Sequence, residues 1–255
     1  MFVAVDIGNS NITVGLKKED KWQEYRFPTH SEQPLLLLRE QIKLLDLSKL
    51  RGVGISSVVP SVTPLVRSEI ELLFGMNPVV VNKRHYQYLP VEPDNPDELG
   101  SDLLVNSLAA SKLCGQNDCL IVDFGTALTY TYIDVKGAIK GVSIAPGINT
   151  ALKALSQNAA QLPQITPTLP EKALGTDTVS AIKAGTIWGF VGQVSFMINK
   201  IKEENNPNLK TIATGGLSHV LKPLDKVFDH IDRHLTLNGI EVYHDIVKAA
   251  MRPNG

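Results

Sequence analysis

Apolar residues arrive in short blocks along this chain, and most blocks end on a small or acidic residue. Met1-Phe2-Val3-Ala4-Val5 is long enough for one buried strand and is closed by Asp6. Gly8 then permits a sharp turn, and Ile12-Thr13-Val14-Gly15-Leu16 returns as a second strand. After the solvated turn at Lys17–Lys21, Trp22–Phe27 alternates as a third strand. Leu35–Leu47 has helical spacing, with Leu36, Ile42 and Leu45 at core positions. Gly52–Pro60 reads as a buried strand running into a polar loop, and Pro60 or Pro64 opens a helix over Val62–Phe74. Asn77–Asn82 is a further short strand, and the Pro-, Asp- and Asn-rich stretch Val91–Leu99 a loop. Gly100 and Ser101 start a helix through Ala110, with Asp102 in its first turn, where the helix dipole favours an anion.

The second half repeats the opening. Leu120-Ile121-Val122-Asp123-Phe124-Gly125-Thr126 is again an apolar strand, Asp, one apolar residue, Gly and a small polar residue, followed by the β-rich Ala127–Asp134. Asp6/Gly8/Asn9 thus has a partner in Asp123/Gly125/Thr126, and a repeat on this scale predicts two similar domains, 1–114 and 115–255. Lys140–Asn149 is a strand ending in Pro146-Gly147, with a helix through Leu155. Leu162–Leu169 carries prolines and reads as a loop. Gly175-Thr176-Asp177-Thr178 begins a long helix containing Gly185, Gly189 and Gly192. Glycines weaken helices, so their presence implies another backbone packed close, from this chain or a second copy. Lys210–Thr214 is a strand entering the Thr211–Ser218 double-glycine loop at Gly215-Gly216. Leu235–Gly239 precedes a helix over Ile240–Met251 that is free to cross back to the first domain.

Composition narrows the function classes. The 255 residues are 43% hydrophobic and 20% charged, with net charge -1, so no basic field points to nucleic acid. Cys114 and Cys119 suggest neither a disulfide framework nor a metal site. The six histidines show no metal-ligand spacing; His230 and His234 are four apart without forming a zinc pattern. Trp22 and Trp188 read as core residues rather than ligand stackers. Asp6 interrupts the first apolar run, so no signal peptide is read. No uninterrupted apolar stretch has the length of a membrane span. The expected location is the cytoplasm, with no membrane partner. No Gly-x-x-x-x-Gly-Lys-Ser/Thr sequence occurs, which argues against a P-loop kinase.

A strand–turn–strand with a carboxylate at its mouth holds phosphate oxygens on backbone N–H groups and a hydrated cation on the Asp. Taken singly, such a hairpin is equally an unliganded Asx turn, and Asp102 equally a helix cap. Two such hairpins followed by Thr214-Gly215-Gly216 resemble the actin, sugar-kinase and heat-shock ATPase superfamily: an α/β fold of two ribonuclease-H-like domains with ATP in the cleft between them. The set formed by Asp6–Thr13, Ile55–Pro60, Gly100-Ser101-Asp102, Asp123–Ala127, Ala145-Pro146-Gly147, Gly175 with Thr178, Thr214–Leu217 and Leu235-Thr236-Leu237 with Gly239 resembles, in order and over nearly the whole length, the type III pantothenate kinases. This resemblance implies ATP-dependent phosphorylation of pantothenate, the first step of coenzyme A synthesis. It implies that Asp6, Ile7, Gly8, Asn9, Ser10, Asn11, Ile12 and Thr13 hold the ATP phosphates, with Asp6 toward Mg2+, and that Thr126, Gly215 and Gly216 meet ATP. Asp102 would be the general base. Gly100, Ser101, Asp102, Leu103 and Thr178 would meet pantothenate, and Asp123 a monovalent cation, K+ or NH4+. It also implies a homodimer sharing its substrate site.

Three positions depart from the family pattern. Leu103 stands where the family has the Arg expected to meet the pantothenate carboxylate, Pro93 where it often has Tyr, and Thr131 where many members have Asp. Losing a charge-assisted contact of this kind costs about 1.5–3 kcal/mol. Three consequences are open: Lys112, Arg84 or a partner residue anchors the carboxylate instead; the acceptor is another hydroxyl compound; or the chain is a nucleotide-binding paralogue with a regulatory role.

Overall fold

The structure is a computed structural model and describes residues 1–30, 47–159, 162–216 and 222–252. The helix expected over Leu35–Leu47, the loop residues Leu217 and Ser218, and His219 fall outside these, apart from Leu47, which opens a 3-10 turn at Leu47–Lys49. The chain forms two compact units, Met1–Leu113 with His234–Gly255, and Cys114–Arg233.

In the first unit the strands are β1 (Phe2–Ile7), β2 (Asn11–Lys18), β3 (Lys21–Pro28), β4 (Gly52–Ser57) and the two-residue β5 (Val79–Val80), ordered β3-β2-β1-β4-β5. β1 pairs antiparallel with β2 and parallel with β4. Helix α1 (Thr63–Phe74) has Pro64 in its first turn and ends on Gly75 in the left-handed conformation. Val66, Ile70 and Phe74 of α1 pack against Val5, Ile7, Val14 and Ile55. Helix α2 (Ser101–Cys114) follows the stretch Val91–Leu99, read as a loop, within which Glu92–Pro93 forms a two-residue strand.

The second unit holds β6 (Cys119–Phe124), β7 (Ala127–Ile133), β8 (Ala138–Pro146), helix α3 (Ile148–Asn158), the long helix α4 (Thr178–Glu204), β9 (Lys210–Thr214) and β10 (His230–Ile231). Its strands run in the order β8-β7-β6-β9-β10, with β6 antiparallel to β7 and parallel to β9. Counted within each unit, both sheets have the order 3-2-1-4-5 with the same strand senses, so the sequence repeat is a repeat of topology. Ile187, Phe190, Val194 and Ile198 of α4 join Leu120, Val122, Leu128 and Tyr130 in the second core.

Four findings correct the sequence expectations. Cys114 and Cys119 form a disulfide linking the end of α2 to the start of β6. The last helix, α5, spans Leu235–Ala250: it starts five residues earlier than expected and packs within the first unit rather than with 115–233. Asn238-Gly239 reads locally as a turn, but helix is imposed there by close approach, since a Cβ on Gly239 would overlap the Val105 carbonyl of α2. α4 is long and apolar enough, by length and composition, to cross a membrane; in this fold it buries its Ala184–Ile198 face in the second unit. Of the two sources of a close backbone for Gly185, Gly189 and Gly192, this chain is not one among the described residues, since their would-be Cβ atoms meet open space.

Candidate active site

The first group of candidate residues lies at the C-terminal ends of the parallel strands β1 and β4, the edge at which open α/β sheets hold ligands. Asp6 is the penultimate residue of β1, in register with Thr13 on β2 and Ser56 on β4. The turn beyond it is closed by the Gly8 N–H donating to the Asn11 carbonyl at 3.0 Å. Gly8 has no positive φ; its role is close approach, because a Cβ there would lie 3.2 Å from the Asn11 oxygen. Asn9, Ser10 and Asn11 are exposed at the tip. Thr29, which sequence reasoning missed, braces this turn: its buried hydroxyl donates to the Gly8 carbonyl at 2.6 Å and its N–H to the Ser10 carbonyl at 3.1 Å. Nothing in the pattern around Thr29 marks it, since the contact spans 21 residues.

α2 begins against the same edge. Ile7 is in register with Ser57, and the Val58 N–H donates to the Ile7 carbonyl at 3.0 Å. Ser101, the first residue of α2, bonds to Ser56 and Ser57. The next residue is Asp102, whose Oδ1 accepts the Leu103 N–H at 2.9 Å. Gly100 makes room for that carboxylate, as a Cβ there would lie 2.5 Å from Oδ1. Burial raises the Asp102 pKa above the ordinary 3.8, outweighing the Leu103 N–H that favours the charged form. A carboxyl with raised pKa at a helix start beside a phosphate-type hairpin is suited to taking a proton from a hydroxyl. The first unit therefore brings together Asp6–Thr13 and Gly100–Leu103.

In the second unit Asp123 stands on β6, opposite Thr129 on β7 and Thr214 on β9. Gly215 follows Thr214 with φ +92, and a Cβ on it would lie 2.5 Å from Asp123 Oδ1 and 2.7 Å from the Phe124 backbone. Only glycine fits that left-handed approach. The Thr126 carbonyl accepts the Gly147 N–H at 3.0 Å and the Thr150 hydroxyl at 2.7 Å, so the start of α3 sits on the second hairpin. Asp123, Thr126 and Gly215 are thus neighbours; Thr178 is exposed at the start of α4, behind a capping box of Asp177 and Ser180.

The donors fit a hard cation in chemistry. Asp123 offers carboxylate oxygen, and the hydroxyl of Thr214, in register with it, is buried and lacks a hydrogen-bond partner. No cluster of three acidic, His or Cys side chains occurs among the described residues. Of the proposed stand-ins for the missing Arg, Arg84 already donates from Nε to His85 at 3.0 Å.

A family model described as type III pantothenate kinase matches residues 2–200. A protein of Listeria welshimeri named type III pantothenate kinase is 36% identical over 251 residues, covering 96% of each chain. Among solved structures, the activator of the 2-hydroxyisocaproyl-CoA dehydratase from Clostridium difficile with bound ADPNP aligns over 100% of this chain and 98% of its own, at TM-score 0.57 and 10% identity. MreB 5 of Spiroplasma citri bound to AMPPNP aligns over 98% and 97% at TM-score 0.51, also 10% identical. These likenesses show the actin-like ATPase fold. With that fold, the duplicated hairpins and the extent of the match together, the chain belongs to the type III pantothenate kinase family.

Proposed function

We propose that this chain transfers the γ-phosphoryl group of ATP to the primary hydroxyl of pantothenate, giving 4'-phosphopantothenate for coenzyme A synthesis. Family membership over most of the chain supports the reaction, and the observation that carries its chemistry is Asp102, poised at the start of α2 with a raised pKa. The backbone N–H groups of the Asp6–Thr13 turn hold phosphate oxygens, and Thr126, Gly215 and Gly216 meet the nucleotide. Asp102 accepts the hydroxyl proton as the acceptor oxygen bonds to the γ-phosphorus and the β,γ-bridging P–O bond breaks, releasing ADP. Such a base contributes typically ~10²–10⁴ in rate. Asp6 is the residue to hold Mg2+ and Asp123 a monovalent cation, K+ or NH4+; bound there, these ions supply charge neutralisation at the phosphates. Gly100, Leu103 and Thr178 belong to the acceptor side of this reading. The molecule works in the cytoplasm as a homodimer, a reading supported by the open row of Gly185, Gly189 and Gly192 on α4.

The test is phosphorylation of pantothenate by purified protein with ATP, Mg2+ and K+, beside Leu103→Arg. Turnover with a high KM for pantothenate is expected, and Leu103→Arg is expected to lower that KM by roughly one to two powers of ten. No product at millimolar pantothenate from either protein would overturn the reading.

A further inference from the structure

Resting on the assignment of Asp102 as the base, we infer that Ser101 is a positioning residue: its hydroxyl replaces a missing strand residue at the edge of β4 and thereby sets the place of the carboxylate that follows it. β5 pairs only with Gly54 and Ile55, and the Val81 N–H donates to the Ile55 carbonyl at 2.9 Å. In a strand, residues two apart present their backbone groups to the same side. The N–H and carbonyl of Ser57 therefore face the edge along which β5 has already ended. Ser101 Oγ takes both: it accepts the Ser57 N–H at 2.9 Å and donates to the Ser57 carbonyl at 2.8 Å.

That assignment fixes the third bond. A serine hydroxyl has one proton to give and two lone pairs. The proton goes to the Ser57 carbonyl, so the 3.0 Å contact with Ser56 has the Ser56 hydroxyl as donor. Ser56 is fully buried. Ser101 Oγ thus donates once and accepts twice, which exhausts its capacity and leaves none for an acceptor substrate. The sequence resemblance places Ser101 among substrate contacts; its hydroxyl instead serves the protein.

Other contacts hold α2 further along its length. Thr236 Oγ1 donates to Asn106 Oδ1 at 2.8 Å, Gly239 abuts Val105, and the Ser107 hydroxyl donates to the Leu103 carbonyl at 2.8 Å. All act at or beyond Leu103. Upstream of Asp102, the Ser101 hydroxyl ties α2 to the strand that lies beside the Asp6 hairpin.

The experiment measures kcat and the KM values for ATP and pantothenate in Ser101→Ala, Ser101→Thr and Asp102→Asn, with a thermal melt of each. A displaced reacting group of this kind costs about 10- to 100-fold in rate, so Ser101→Ala is expected to lose that much kcat with the KM for ATP within about two-fold. Ser101→Thr, which keeps the hydroxyl, is expected to recover most of it. Should Ser101→Ala melt below the assay temperature, Ser101→Cys takes its place: its thiol is a weaker donor and acceptor, and an intermediate kcat with unchanged KM is expected. Ser101→Ala (or Ser101→Cys in its place) with full kcat, or a folded Ser101→Thr with no recovery, overturns the positioning role. Full activity in Asp102→Asn removes the base itself, and the role of Ser101 with it. Loss in Asp102→Asn but not in Ser101→Ala overturns only the inference drawn here.

Discussion

At the scale of single residues, Asp102 joins chemistry to a cost in stability. Its folded pKa lies above 3.8 because burial disfavours the ionised form. For a carboxyl with a raised folded pKa, its favourable share of stability is present below the unfolded pKa and is lost as pH rises through the folded one. At neutral pH, above the unfolded pKa, the burial of Asp102 therefore works against folding. Asp102→Asn is expected to melt higher than the native protein at pH 7, with turnover down by roughly 10²–10⁴; calorimetry beside a kinase assay checks both. The acidic limb of the native kcat/KM profile should likewise lie above the ordinary aspartate range, since the base fails as pH falls through the raised pKa. The place of Asp102 at a helix start was legible in the sequence because Gly100-Ser101-Asp102 combines helix-start signals with an acid; its role as base came only from the resemblance. Ser56, Ser57 and Thr29 were not legible, because their partners are 45, 44 and 21 residues away and no local periodicity records such contacts.

At the scale of elements, α5 is fitted to α2 at backbone distance. Gly239→Ala forces a methyl group into the Val105 carbonyl, an overpacking expected to cost about 1–3 kcal/mol, read as a lower urea midpoint. Lys17 bonds Glu241 at 2.6 Å, Trp22 Nε1 donates to Asn238 at 2.8 Å, and Arg51 bonds Asp245 at 2.6 Å, so α5 is tied to the first sheet on its polar side as well. In the second unit Asp229 joins β9 to β10. Burial alone would raise its pKa, but the Thr211 N–H, the Lys210 ammonium and the Thr211 hydroxyl carry it down to about 2. Its contribution is present above 3.8 and is lost as pH falls through about 2. Asp229→Asn is expected to lose on the order of 1.5 kcal/mol at pH 7 and to flatten the acid unfolding curve between those limits. The hairpins β1–β2 and β6–β7 were legible because apolar strands, Asp-x-Gly and the returning strands agree with one another. α5 was misjudged because Asn-Gly is a strong local turn signal, and only the approach of a second helix overrides it.

At the scale of the whole molecule, two units of one topology account for the sequence repeat, while the disulfide was hidden from it. Two cysteines five residues apart carry no partner information until a helix end and a strand start are brought to a Cα separation of 6.3 Å. The bridge closes a short loop, for which chain entropy gives about 2 kcal/mol. Cys114→Ser with Cys119→Ser, or reduction by a small thiol, is expected to lower the melting temperature by roughly 4–8 °C. The first unit is also interrupted: its strands precede residue 114 and its closing helix follows residue 233. On a ribosome, then, the sheet that carries the Asp6 hairpin waits for α5 while the second unit is synthesised. At about 5–20 residues per second, that wait is roughly 7–30 s, a period in which Phe2, Gly52 and Gly54 are without Ile240 and His244, and in which a nascent-chain chaperone has its clearest claim on this protein.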